Sequence, residues 1–337
     1  MGKKTIYDVA KEAGVSISTV SRALNGTAKV KESTRRRIEA ACVGYVPNAQ
    51  ARELQTHNVK TVGVIINHTP EYFFMNDTYV NALLGISVVA RDKGYQLILN
   101  ITDDEDVCDL YLENRVAGFI VMGVKKDGVL VSRLRENNIP FVVVGSCPDE
   151  NIAQVDINDR RAMHMAAQYL IALGHERIGI ITGSREYTSC SDRIDGYRDA
   201  MKENGLEVRE EWVQSCDNIT EMKAEQLAKN LFYQKQRVTA ILAFNDSIAL
   251  AVYKAAKDVG ISIPQDLSVI GFDDTRVASY MTPMLTSVWQ PSYEKGEKAM
   301  SVLINCLDKD KVPTGRTEFD CIIMYRESCA RLENKDR

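Results

Sequence analysis

The chain has 337 residues, 45% of them apolar and 26% charged, with a net charge of −4, the composition of a globular protein long enough for more than one domain. No apolar run reaches the roughly 18 residues of a membrane helix, and the opening "MGKKTIYDVAK" turns amphipathic at once without a signal-type apolar segment, so a cytoplasmic protein with no membrane partner is expected. Eight scattered cysteines without a CxxC pair and four separated histidines speak against a disulfide frame or a structural zinc site, and neither metal nor cofactor is expected.

The charge is unevenly distributed. Up to residue 57, ten Lys and Arg stand against five Asp and Glu, a net of +5, and the remainder carries −9. A small basic head on an acidic body suits a phosphate backbone at one end and is repelled by one at the other.

The first predicted element starts at Thr5. Ile6, Val9, Ala10 and Ala13 fall within an arc of about 100° on a helix, Thr5 with Asp8 forms a capping box, and Gly14 supplies a left-handed stop. Ser16 then caps a second helix, on which Thr19, Val20, Ala23 and Leu24 share one face and Ile17, Ser18, Ser21 and Arg22 the other. Ser18 and Arg22 lie one turn apart, where both reach the same base edges, and an arginine offers two parallel donors to guanine. Two short helices around a Gly-containing corner describe a helix-turn-helix; two surface helices of a helical cap have the same spacing. The segment "STRRRIEAAC" supplies Ile38 and Ala41 to close a three-helix core, with Arg35, Arg36 and Arg37 towards solvent or phosphate.

Beyond it, "VPNAQARELQTHN" is a proline followed by about nine residues of helical propensity, too short to hold a helix alone. Its apolar residues are Ala49, Ala51 and Leu54, and two copies meeting in a dimer would bring Leu54 to the minor groove. A plain interdomain linker is the alternative.

The runs "TIYDVAKEAGVSISTVSRALNG", "KVKESTRRRIEAA" and "GYVPNAQARELQ" resemble the amino-terminal signature of the LacI/GalR family of transcriptional regulators, and the resemblance continues to about residue 330. It implies a helix-turn-helix domain at 1–46, a hinge helix and linker at 47–58, and an effector-binding and dimerisation core at 59–332. By the same resemblance Ile17, Ser18 and Arg22 read bases; Thr5, Tyr7, Ser16, Thr19, Ser21 and Asn25 hold phosphates; Asn48, Ala51 and Leu54 bind DNA from the hinge. Between "EAA" and "YVPN" the chain has only "CVG", about two residues fewer than the family usually carries, and Lys31 stands where the family often has a serine cap.

After residue 58, apolar β-rich runs alternate with helical stretches: "KTVGVIIN", "YQLILN", "AGFIVMGV", "PFVVVG", "ERIGIITGS", "VTAILAFN" and "LSVIGFDD". Such alternation gives an α/β fold with parallel sheets, and the length calls for two lobes. The family resemblance implies a two-lobed, periplasmic-binding-protein-like core crossed near Ile157, Ser287 and Asp320, with lobe 1 at about 59–157 and 288–319 and lobe 2 at about 158–286 and 320–332.

Ligands of open parallel sheets bind beyond the carboxyl ends of strands. Those ends carry Asn67, Ser146, Ser184, Asn245 with Asp246, Asp273 with Asp274, and Gln290: groups that grip hydroxyl pairs, with Phe73, Phe74 or Trp289 available to cover an apolar sugar face. Arg193 in "DRIDGY" matches the arginine that similar regulators use on their effector. The same Asn and Asp residues can equally cap the helices that follow them, and Phe74 and Trp289 are residue types more often found in the core than as a platform.

There is no nucleophile elbow, Walker loop or GxGxxG after the first strand, so no enzyme is expected; a sugar-handling enzyme fused to the head and a secreted solute-binding protein are the competing classes. The expected function is a homodimeric, sequence-specific regulator, in its simplest form a repressor, of carbohydrate-metabolism genes. It would bind a palindromic double-stranded operator under control of a small sugar-type effector held by Phe73, Phe74, Ser146, Arg193, Asn245, Asp273 and Gln290. Relatives answering to a purine or to a phosphorylated carrier protein supply the alternatives.

Overall fold

The structure, a computed structural model, describes residues 4–25, 30–45, 59–74, 76–101, 107–149, 151–215, 220–309 and 311–332. Two compact units divide the chain, Met1–Val59 and Lys60–Arg337.

In the first unit, helices α1 (Ile6–Ala13), α2 (Ile17–Asn25) and α3 (Glu32–Ala41) surround Val9, Ala10, Ala13, Val20, Ile38 and Ala41. The ends are set by the residues expected. Thr5 and Asp8 exchange backbone and side-chain hydrogen bonds in a capping box, and Gly14 closes α1 at φ 63°, with its N–H on the carbonyls of Ala10 and Lys11. Lys31 precedes α3 without a side-chain cap. Leu24, expected on the inner face, is 38% exposed and lies outside the cluster.

The second unit contains two six-stranded sheets, ordered β11-β5-β4-β3-β1-β2 and β12-β10-β9-β8-β6-β7. The strands of the first are β1 (Thr61–Ile66), β2 (Gln96–Ile101), β3 (Phe119–Met122), β4 (Phe141–Val144), β5 (Gln154–Ile157) and β11 (Arg316–Phe319), all parallel. Those of the second are β6 (Ile178–Thr182), β7 (Val213–Ser215), β8 (Ala240–Ala243), β9 (Ser268–Asp273), β10 (Thr286–Trp289) and β12 (Ile322–Met324), with β12 antiparallel to β10. Strands such as "FIVM", "FVVV" and "AILA" are buried throughout because helices cover both faces of each sheet. On β1, Val62, Val64 and Ile66 face helices Asp77–Asp92 and Ser292–Leu307, whereas Ile65 faces helix Val129–Glu136.

The chain passes between sheets three times: from β5 into helix Asp159–Ala172, from β10 into helix Ser292–Leu307, and from β11 into β12. The middle crossing falls at Gln290–Pro291, a little beyond Ser287, because Ser287, Val288 and Trp289 pair with both β9 and β12. The two helices over lobe 1 touch backbone to backbone. A Cβ added at Gly296 would lie 2.0 Å from the Ala82 carbonyl oxygen, so glycine is required there by close approach.

Candidate functional site

The head presents one polar face. Ser16 Oγ accepts from the Thr19 amide (3.2 Å) and lies 2.8 Å from both Ser18 Oγ and Thr19 Oγ1, which fixes the start of α2. Ile17, Ser18 and Arg22 are exposed along the outer side of that helix, Thr19 and Ser21 are half-buried, and Tyr7 on α1 is exposed. Thr5 is engaged in its capping box, where its hydrogen bonds hold the Asp8 carboxyl below the usual carboxylate range. Asn25 is the last residue of α2. Asn48, Ala51 and Leu54 lie outside the described residues.

In the second unit a cleft of about 340 Å³ opens between the two sheets, at the small end of the range for small-molecule sites. Ser146, Arg193, Asn245, Asp273 and Gln290, scattered in sequence, all line it. Each stands at or just past a strand end or on the helix that follows. Asp273 ends β9 at φ 95°, a conformation costly for a residue with a Cβ and of the kind that clusters at ligand sites. Its carboxylate accepts from Gln290 Nε2 at 2.5 Å.

Arg193 is 4% exposed and donates to Asp159 Oδ1 (2.6 Å) and the Phe244 carbonyl (2.5 Å); its guanidinium carbon lies 3.5 and 4.3 Å from the ring centroids of Phe272 and Phe244. These contacts use two of its five N–H donors. Asp159 is pushed up to about 6, by burial first and against the opposing pull of Arg193. Asn245 Oδ1 accepts from the Ile248 amide (2.9 Å), so the capping role is filled, while among the described residues no partner takes its Nδ2. Asp246, the next residue, lies outside the cleft lining. It is fully buried, accepts from Thr275 N, Thr275 Oγ1 and Ser287 Oγ at 2.6, 2.9 and 2.6 Å, and is pushed up to about 7 by burial and then by Asp273. It braces the loop after β9.

The aromatic wall differs from the one expected. Phe73 is 1% exposed in the lobe 1 core, Phe74 is 63% exposed, and neither lines the cleft, nor does Trp289 on β10. Helix Pro70–Phe74 is a single turn, and its phase directs Tyr72 to the cleft and Phe73, about 100° further round, into the core. The wall is His68, Tyr72, Tyr79, Tyr187 and Phe244. His68 stacks between Tyr72 and Tyr187, with centroids 4.3 and 4.5 Å away, and its Nε2 lies 2.8 Å from Tyr79 Oη. Burial, aided by Lys125, lowers it to about 3, so the ring is neutral at physiological pH.

Tyr187 belongs to lobe 2, and the stack therefore joins the two lobes across the cleft. The Lys126 amide donates to the Glu186 carbonyl (2.8 Å), Lys126 Nζ to Ser191 Oγ (2.6 Å), and Lys125 and Tyr187 form an isolated antiparallel bridge.

Two further lining residues, Asp156 and Lys295, carry no sequence signal: a lysine in "SYEKGEKAM" has the pattern of a solvated helix face. The cations of the lining are paired, Arg193 with Asp159, Lys295 with Asp156 (3.5 Å) and Lys125 with Glu186 (3.6 Å). Carboxylates and amides left over offer both acceptors and donors, the complement of hydroxyl groups. Among the described residues no cluster of His, Cys, Asp and Glu is placed to hold a metal, and no helix is long and apolar enough to cross a membrane.

Comparison with known proteins accords with both units. Residues 5–48 match the family described as bacterial regulatory proteins, lacI family, and residues 167–329 match the periplasmic binding protein-like domain. The chain is 35% identical to catabolite control protein A of Priestia megaterium, over 96% of this chain and 98% of that one. It is 34% identical to the HTH-type transcriptional repressor PurR of Vibrio campbellii, over 97% and 99%. Among solved structures, the complex of the transcriptional regulator CelR with cellobiose matches at a TM-score of 0.75 and 29% identity, over 96% of this chain and 99% of that one. With a capped helix-turn-helix head, a two-lobed parallel-sheet core and relatives of this kind over nearly its whole length, the chain belongs to the lacI family of bacterial DNA-binding transcriptional regulators.

Proposed function

We propose that this regulator acts in the cytoplasm as a homodimeric repressor of carbohydrate-metabolism genes and that its effector is a small, uncharged sugar bound in the cleft between lobes. The observation that carries this reading is the convergence of Ser146, Arg193, Asn245, Asp273 and Gln290 on one cavity with an aromatic wall. Mixed donors and acceptors suit vicinal hydroxyls, and aromatic faces suit the apolar side of a sugar ring. An anionic effector meets a floor whose cations are already paired and whose Asp273 carboxylate, bonded to Gln290, has no cation within salt-bridge distance among the described residues. The CelR structure, which contains cellobiose, is a relative with an effector of this class.

In this reading residues 1–46 are the DNA-binding domain, 47–58 the hinge, and 59–332 the effector and dimerisation core. Ile17, Ser18 and Arg22 contact bases; Thr5, Tyr7, Ser16, Thr19, Ser21 and Asn25 contact phosphates; Asn48, Ala51 and Leu54 act at the hinge. An exposed polar stripe on α2 supports the first group. Effector binding alters the angle between the lobes and thereby the balance between DNA-bound and free states, by no more than its difference in affinity for the two. The test is a thermal-shift screen of the full chain against glucose, ribose, maltose, cellobiose, their phosphates, and purine bases. A neutral sugar that raises the melting temperature is expected; stabilisation by phosphates or purines alone would replace the sugar reading.

A further inference from the structure

The floor of the cleft holds a lysine that neither packing nor solubility accounts for. Lys295 lies in the first turn of helix Ser292–Leu307 and is 5% exposed, facing Asp156 on β5, which is 1% exposed. Burying an ammonium and a carboxylate is costly, and well-packed apolar residues of similar volume commonly do as well for stability. The pair is also loose for a stabilising device, with Lys295 Nζ 3.5 Å from Asp156 Oδ1. Its shorter bond goes elsewhere, to Gln290 Oε1 at 2.7 Å.

These bonds form a chain across the lobes. In lobe 1, Ser146 Oγ donates to Asp156 Oδ2 (2.7 Å) and Asp156 orients the Lys295 ammonium; Lys295 donates to Gln290 in the crossing segment; Gln290 donates through Nε2 to Asp273 at the tip of β9 in lobe 2. The Gln290 amide is two-ended, with its oxygen spent on Lys295 and its nitrogen on Asp273. A turn of the Asp273 carboxylate towards a ligand hydroxyl must therefore carry Gln290 with it or break one of these bonds. Both outcomes are felt at the start of helix Ser292–Leu307, whose backbone is in direct contact with helix Asp77–Asp92 at Gly296 and Gly85.

We propose that Lys295, held by Asp156, is the positioning residue that transmits effector occupancy at Asp273 from lobe 2 to lobe 1. Transmission of this kind needs an element with two arrangements that both sites bias, and the doubly bonded Gln290 is that element. The proposal rests on the effector reading above, but its first test does not.

In ligand-free full-length protein, hydrogen exchange followed by mass spectrometry compares wild type with Lys295→Met and with Asp156→Asn/Lys295→Met. The double variant removes the buried charge altogether and covers the case in which the single variant fails to fold. Amides from Phe272 to Thr275 in lobe 2 are expected to exchange at least tenfold faster in either variant, with helix Glu221–Phe232 unchanged. A change confined to lobe 1, or none, overturns the proposal. The second test uses the sugar that most stabilises wild type in the panel. With each protein saturated with that sugar according to its own binding isotherm, the effect of the sugar on operator affinity is expected to fall at least tenfold in Lys295→Met; an undiminished effect at saturation overturns the proposal. If no sugar binds wild type, the sugar reading fails and the exchange result alone decides the relay.

Discussion

Replacing Arg193 by Met separates the charge at the centre of the cleft from its packing. The guanidinium is buried between Phe244 and Phe272 and bonded to Asp159 at 2.6 Å. Deleting one member of a buried pair costs about 3–5 kcal/mol, since the remaining charge is unpaired, and the two ring contacts, worth on the order of 2 kcal/mol when desolvated, place this site towards the upper end. The pH dependence gives the sign. Asp159 is raised from 3.8 to about 6 in the folded protein, so the stability it contributes is fully present below 3.8 and is lost as pH rises through about 6. Without Arg193 its carboxyl is pushed higher still. Below about pH 6 it is protonated in both proteins, and the deficit of the variant widens above that pH. Urea unfolding at pH 5 and pH 8, followed by tryptophan fluorescence, measures this, with Trp212 and Trp289 both reporting from lobe 2. Adding Asp159→Asn is expected to recover most of the loss at pH 8. Equal deficits at both pH values, with no recovery in the double variant, would refute the charge argument.

Asp246→Asn is expected to flatten the fall in melting temperature between pH 4 and 7, because a carboxyl raised from 3.8 to about 7 contributes stability that is lost as pH rises, on the order of 4 kcal/mol in full; a parallel pH profile would contradict it. Gly296→Ala is expected to lower the unfolding free energy, obtained from urea titration followed by circular dichroism, by about 1–3 kcal/mol, since the new methyl group meets the Ala82 carbonyl at 2.0 Å; an unchanged free energy would mean that the two helices separate freely. Arg22→Ala is expected to weaken binding to a selected operator by about 1–3 kcal/mol and to relax preference at one base position, whereas equal losses on operator and random DNA would assign Arg22 to the phosphates.

The head was legible because its signals are local. A threonine three residues before an aspartate, a glycine after the apolar stripe and a serine before the next one each act within a single turn, and all three occur where expected. Seven of the twelve described strands were legible from their apolar runs; β5, β7, β10, β11 and β12, short segments such as "QVDI" and "RTEF", carry no such run. The cleft was legible at its strand ends but not at its wall. Tyr72 and Phe73 differ by one residue on a helix of five, too short for periodicity to fix which side faces inward, and Tyr187 meets His68 only through the tertiary fold. Lys295 and Asp156 were hidden for another reason: a charged residue reads as solvent-facing until its counter-charge, 139 positions away, is brought beside it.

The most direct test is the affinity of the full chain for an operator recovered by selection from genomic DNA, measured by fluorescence anisotropy with and without the panel sugar that stabilises the protein, in wild type and in Asp273→Asn. A change of at least tenfold in wild type, absent in the variant although its sugar-free affinity is retained, is the predicted result. An equal response in both proteins would place the effector outside the cleft and contradict the account.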